Sequence, residues 1–266
     1  MEESARESRV LQAIDKLHGL IIPKCKIKGC ENGFIRDAAK VNLDGLLHPT
    51  SHKCECFQTY ERYKSYLISN IPREFWKVKD EQITTDPDSD RRISIYLEKL
   101  TQAFENGIGL LFLGSDEGML HPNNGVGKTL LGTKILEHAI ASDYSAHYIT
   151  MHSYFNLVYR SKDDADTYLP VIDEIEGVDF LCIDEVGKIN DTDYVKNKFE
   201  DMIRYRSQQM LTNIIITNMN TKELTDMFGY SIMDIIMNSS VAIKLRGNSH
   251  RQQKFVDIRK RLNWGL

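Results

Sequence analysis

Apolar positions along this chain recur with two periods, one helical and one strand-like, and in the second half of the chain the two alternate. Over residues 4–21, Val10, Leu11, Ile14, Leu17, Leu20 and Ile21 fall on one helical stripe, and Pro23 sets a stop shortly beyond. Residues 57–68 read as helical, and 92–104 as an amphipathic helix. The acidic, turn-rich run 80–90 between them reads as a loop or linker. Residues 107–114, Gly-Ile-Gly-Leu-Leu-Phe-Leu-Gly, are too short and too glycine-punctuated for a helix, so a buried strand is expected there. Leu130, Leu131, Ile135, Leu136 and Ile140 then recur at helical spacing. Further strands are expected at 146–151, 179–185, 213–218 and 241–245, with helices at 152–176 (two pieces), 193–209, 221–229 and 232–237. Five strands alternating with helices predict an α/β fold with a parallel sheet flanked by helices, binding ligands at the carboxyl ends of its strands.

The 266 residues, 41% hydrophobic and 27% charged, suit one medium domain and a small accessory one. No apolar run reaches the length of a membrane span. The start, Met1-Glu2-Glu3-Ser4, is unlike a secretory signal, so a cytoplasmic protein without membrane attachment is expected. The net charge of −4 is uneven: +4 over residues 1–79, −13 over 80–200 and +5 over 201–266. Basic ends on an acidic middle suit a polyanion or an oppositely charged partner. The terminal basic residues Lys244, Arg246, Arg251, Lys254, Arg259, Lys260 and Arg261 are candidates for DNA phosphates, or form a solvated end.

Candidate chemistry concentrates at two strand ends. Gly125, Val126, Gly127, Lys128, Thr129 and Leu130 stand between a strand and a helix, the context of a phosphate-binding loop. Glycines let backbone N–H groups turn toward a polyphosphate at a helix N-terminus. Lys128 is expected to reach the outer phosphates of ATP and Thr129 to ligate Mg2+. The loop is longer than the strict pattern: twelve residues separate Gly114 from Gly127, so 116–123 reads as an insertion. The second strand end is Ile183-Asp184-Glu185. Asp184 is the expected second Mg2+ partner, and Glu185 the group that orients or deprotonates the attacking water. Asn218 ends a third strand, either to sense the γ-phosphate or hold the attacking water, or as a capping or turn residue. Tyr154, Phe155 and Tyr159, at helical spacing, serve either base stacking or core packing.

Four of the five cysteines lie within thirty-two residues: Cys25 and Cys30, then Cys54 and Cys56. In a cytoplasmic chain disulfides are disfavoured, and two close pairs suggest a tetrahedral zinc site on a small ribbon or knuckle. His48 or His52 could replace one cysteine, and reduced thiols without metal are the alternative. Cys182, inside a strand, reads as core. The predicted organisation is an N-terminal helix and zinc module over 1–68, a linker over 69–91 and an ATPase domain over 92–266.

The order of cysteine pair, Cys-x-Cys, Ile-Pro, phosphate loop, Ile-Asp-Glu, Thr-Asn and Gly-x-Ser-x-Arg resembles the replicative helicase-loader ATPases of the DnaC/DnaI/IstB type. The resemblance covers roughly residues 20–255. It implies an AAA+ module, phage members of the family often carrying an N-terminal zinc module. It implies ATP, Mg2+ and Zn2+ as cofactors and a replicative helicase engaged through the N-terminal part. Single-stranded DNA as a partner, self-association and residence in the cytoplasm of a bacterial host belong to the same expectation. Gly125, Gly127, Lys128 and Thr129 match the family's nucleotide loop, Asp184 and Glu185 its acidic pair, Asn218 its sensor and Arg251 its late arginine. The helical pieces at 152–176 fall where loaders and initiators carry an insertion facing DNA. Residues 219–243 contain no arginine, and Ile235 stands where the family's arginine finger is expected, which implies slow hydrolysis. Arg204 and Arg206 are the fallback fingers. Two other readings stay open: an IstB-like transposition ATPase that binds duplex DNA and a transposase, and a non-ATPase docking scaffold.

Overall fold

The computed structural model describes residues 2–36, 40–41, 47–48, 51–80, 83, 85–114, 127–187 and 193–245. The chain divides into two compact units, residues 1–76 and 77–266. In the first, α1 (Glu2–Ile21) packs on α2 (Glu55–Ile68), with His18 and Tyr60 rings edge to face at 5.2 Å. Between the helices, β1 (Cys30–Glu31), β2 (Phe34–Arg36) and β5 (Ser51–Lys53) form a three-stranded antiparallel sheet. β3 (Lys40–Val41) pairs with β4 (Leu47–His48) as a separate ribbon. Tyr63, Tyr66 and Trp76 cluster at the far end of α2, where Trp76 Nε1 donates to the Ile71 carbonyl.

The second unit is built on a five-stranded parallel sheet. Its strands are β6 (Gly109–Leu113), β7 (Ala146–Thr150), β8 (Phe180–Val186), β9 (Thr212–Thr217) and β10 (Ser240–Lys244), arranged β10-β6-β9-β8-β7. The expected parallel α/β sheet is therefore present. α5 (Lys128–Ala141) lies across β7, β8 and β9 on one face. Gly132 makes that approach possible: a Cβ there would stand 2.6 Å from Ile216 Cδ1 and 3.0 Å from Cys182 Sγ. The opposite face carries α6 (Met151–Arg160), α7 (Ala165–Gly177), α8 (Asp193–Gln208), α9 (Thr221–Phe228) and α10 (Tyr230–Asn238). Strand positions alternate between the two layers: Leu111, Leu181, Ile183 and Ile215 enter the core beneath α6–α10. Tyr154 and Phe155 also lie in that core, whereas Tyr159 is 41% exposed.

The sequence reading differs most around α3 and α4, the ends of the other elements shifting by one or two residues. The helix expected over 92–104 is two helices, α3 (Pro87–Glu98) and α4 (Leu100–Glu105), broken at Lys99. α3 also begins inside the acidic run read as a loop. Asp86 caps it by accepting from the Ser89 N–H, and Pro87 takes the first position, where a missing N–H costs nothing. α3 lies along the outer edge of β10, where Arg92 Nη1 donates to the Ala242 carbonyl and Ser89 Oγ to the Lys244 carbonyl, so that the helix blunts an open sheet edge.

Candidate functional site

The site assembles at the carboxyl ends of β6, β8 and β9, where the strand order of the sheet reverses. Gly127, at φ 98°, sits in the left-handed region and caps α5, a conformation that favours glycine. Lys128 follows as the first residue of the helix and is 7% exposed. Thr129 Oγ1 donates to Asp184 Oδ2 at 2.8 Å, which joins the first turn of α5 to the end of β8. Asp184 is 4% exposed, and its other oxygen, Oδ1, accepts from the Glu185 N–H at 2.7 Å.

Glu185 has φ 59°, and the pairing of β8 with β9 slips between Ile183 and Val186. A bulge with a left-handed residue breaks the strand's alternation and gives Glu185 a direction that regular pleating would not. The neighbouring tips are tied together. Thr217 Oγ1 donates to the Val186 carbonyl, the Met219 N–H donates to Thr217 Oγ1, and the Gly114 N–H donates to the Met219 carbonyl. Asn218, exposed at the end of β9, stands inside this tie. Lys128, Thr129, Asp184, Glu185 and Asn218 thus share one end of the sheet, with Leu130 next in α5. Gly125, Val126, the 116–123 insertion and Arg251 lie outside the described residues.

Tyr148 is a site neighbour that the sequence reading missed. Its hydroxyl donates to Asp184 Oδ2 at 2.9 Å. Burial, reinforced by the Asp184 charge, pushes this phenol far above its ordinary value, so it remains a donor. The only sequence signal was its place in β7 two residues before Thr150, which is in register with Asp184.

The two fallback arginines have different fates. Arg206 is fully buried, and its guanidinium donates to Asn213 Oδ1 and to the carbonyls of Glu176, Val178 and Thr212 at 2.6–2.8 Å. Burial pulls its pKa down to about 9. Held in this way, Arg206 is a structural tie rather than a finger, which corrects that expectation. Arg204 has a side chain 41% exposed, paired with Glu200 and donating to Ser231 Oγ on α10.

In the first unit, Cys25, Cys30, Cys54 and Cys56 bring their sulfur atoms within 4.8 Å of one another, the Cys25–Cys54 pair at 3.8 Å and the Cys30–Cys56 pair at 3.6 Å. Sulfurs about 2.3 Å from a tetrahedral zinc ion stand about 3.8 Å apart, so the quartet fits that metal. Cys54 caps α2 and Cys56 lies in its first turn, while Cys30 opens β1, so the cluster joins the three-stranded sheet to α2. Desolvation raises the Cys30 and Cys56 thiols, whereas the Cys56 backbone N–H lowers Cys54. All five cysteines are free; Cys182 is buried under α5 and stands apart from the quartet. His52 is exposed, and among the described residues the quartet is made of cysteines alone.

No protein-family model matches the chain, and neither does any curated protein. Solved structures do. The crystal structure of the DnaC helicase loader is similar with a TM-score of 0.55 and 19% identity, over 66% of this chain and 100% of that one. The crystal structure of DnaI gives 0.54 and 20%, over 66% and 94%. The replication initiator DnaA bound to AMPPCP and single-stranded DNA gives 0.53 and 13%, over 73% and 56%. The chain therefore shares the fold of these three proteins, a parallel α/β sheet flanked by helices, which is the architecture the sequence resemblance implied. Among the described residues, no helix is long and apolar enough to cross a membrane.

Proposed function

We propose that this protein is an ATP-binding helicase loader, which engages a replicative DNA helicase through residues 1–68 and helps deliver it to single-stranded DNA. The observation that carries the reading is the hydrogen bond from Thr129 to Asp184, on a fold shared with DnaC and DnaI. It brings together two hard oxygen donors of the kind Mg2+ takes, one on the helix that opens after the glycine loop and one on a strand tip. When bound, Mg2+ neutralises charge on the outer phosphates of ATP. Gly127 and the first N–H groups of α5 receive phosphate oxygens, and Lys128 pairs with the outer phosphates. Glu185 orients and deprotonates the attacking water, and Asn218 holds it against the γ-phosphate. The four cysteines hold one zinc ion, which supplies folding energy to a unit with a small core.

Single-stranded DNA meets the α6–α7 surface. At its tip Lys162 Nζ stands 3.6 Å from the centroid of the Tyr194 ring, and the Tyr159 and Tyr194 rings are 5.6 Å apart. Tyr159, 41% exposed beside Lys162, suits a stacked base and its phosphate, whereas Tyr194 on α8 is half-buried beneath the Lys162 cation. Hydrolysis is slow, because Arg206 is committed to the interior and residues 219–243 hold no arginine. ATP then acts mainly as an assembly signal, and Arg204 is the remaining candidate to reach a neighbour's nucleotide.

The deciding experiment mixes the full chain with its cognate replicative helicase, with and without ATP, and measures complex mass. A defined complex that places helicase on single-stranded DNA, and is lost on removal of residues 1–68, is the expected result. ATP-dependent assembly on duplex DNA without helicase affinity would instead assign the transposition-type activity.

A further inference from the structure

We propose that Tyr148 is a positioning residue for the metal half of the nucleotide site, acting through Asp184; the proposal rests on the ATP-binding reading above. Tyr148 lies on β7, the edge strand beside β8, in register with Cys182 and so two residues short of Asp184 on the same face. Its side chain spans that offset, and its hydroxyl reaches Asp184 Oδ2 at 2.9 Å. The same oxygen accepts the Thr129 hydroxyl at 2.8 Å, and Oδ1 accepts the Glu185 N–H at 2.7 Å.

A carboxylate offers about two lone-pair positions on each oxygen. Two hydroxyl donors therefore fill Oδ2, and the N–H occupies half of Oδ1. The plane of the carboxylate is fixed from both ends, which leaves the second position of Oδ1 for a cation or a water bound to it. Thr129 is fixed by the same arrangement. With its proton committed to Oδ2, it presents only oxygen lone pairs outward, the state in which a hydroxyl serves a cation. Without the Tyr148 hydroxyl, Oδ2 regains a position, the carboxylate gains freedom to turn about its Cβ–Cγ bond, and Thr129 loses its fixed acceptor. Groups that orient metal ligands in this way typically contribute 10–100-fold in metal affinity.

The test is equilibrium binding of a fluorescent ATP analogue to the full chain, with Mg2+ titrated and with EDTA in its place. Tyr148→Phe removes one oxygen and keeps the ring. Its expected effect is an approximately tenfold rise in the Mg2+ concentration that gives half the metal-dependent gain in affinity, with binding in EDTA unchanged. In an Asp184→Asn background, the same change is expected to add nothing, because the two residues act as one unit. An unaltered Mg2+ dependence overturns the proposal. So does an equal loss with and without Mg2+, which marks a packing role, or an additive loss in the Asp184→Asn background. Wild-type protein that binds no nucleotide even with Mg2+ overturns the ATP reading and this proposal together, a pattern distinct from the other three.

Discussion

Glu185 illustrates how one backbone angle sets the chemistry of the site. A residue with a Cβ in the left-handed region costs about 1–2 kcal/mol relative to the right-handed one, and the bulge between Ile183 and Val186 holds Glu185 there. The strain is separable from the carboxylate. Both Glu185→Gly and Glu185→Ala remove the carboxylate, but only glycine relieves the angle. Glu185→Gly is therefore expected to be more stable than Glu185→Ala by about 1 kcal/mol, read from urea unfolding of the two variants. Equal stabilities would mean that the residue relaxes out of its left-handed conformation at no cost. Tyr148 works on the same few atoms from the neighbouring strand, so the acidic pair is governed by β7 as well as by β8.

At the scale of elements, the contact between α5 and the sheet decides how closely Thr129 approaches Asp184. Gly132 lets the helix sit against Cys182 and Ile216, and a methyl group there would overlap Ile216 Cδ1. Gly132→Ala is expected to cost about 1–3 kcal/mol in thermal or urea unfolding and to weaken nucleotide binding as the helix lifts. The strands that carry the site were legible because 110–113 and 180–183 are continuous apolar runs, as a strand buried on both faces must be. The start of α3 was not, because its first-turn acids read as a loop, although Asp86 and Pro87 form a cap and a helix start. The break at Lys99 leaves the helical period almost intact and so gives no sequence signal. Tyr148 reads as one more strand residue, and Arg206 as a fallback finger on the helix that follows the acidic pair. Only the tertiary fold shows that the first faces a carboxylate and the second a ring of carbonyls.

For the molecule as a whole, the two units are held by different physics. The second buries an extensive apolar core around its sheet. The first pairs two helices with strands of two or three residues, and a zinc ion on its cysteine quartet, as proposed above, would supply what a larger core supplies in the second. Purified protein is expected to contain one zinc per chain by elemental analysis. Cys54→Ser, or a strong chelator, is expected to release it and to open residues 25–56 to protease while 127–187 stay protected. Full zinc occupancy in Cys54→Ser would rule the quartet out. The α6–α7 pair shows how such an assembly transmits load. α6 begins directly after Thr150, which caps it through the Ser153 N–H, and the end of α7 is clamped where Arg206 grips the Glu176 and Val178 carbonyls. Both feet of this bracket are anchored, which leaves bending to the turn at 161–164 and to Pro170 inside α7. A strand of DNA pulling on Lys162 and Tyr159 would therefore not swing the bracket aside. The force would run down α6 into Thr150, whose partner across the sheet is Asp184.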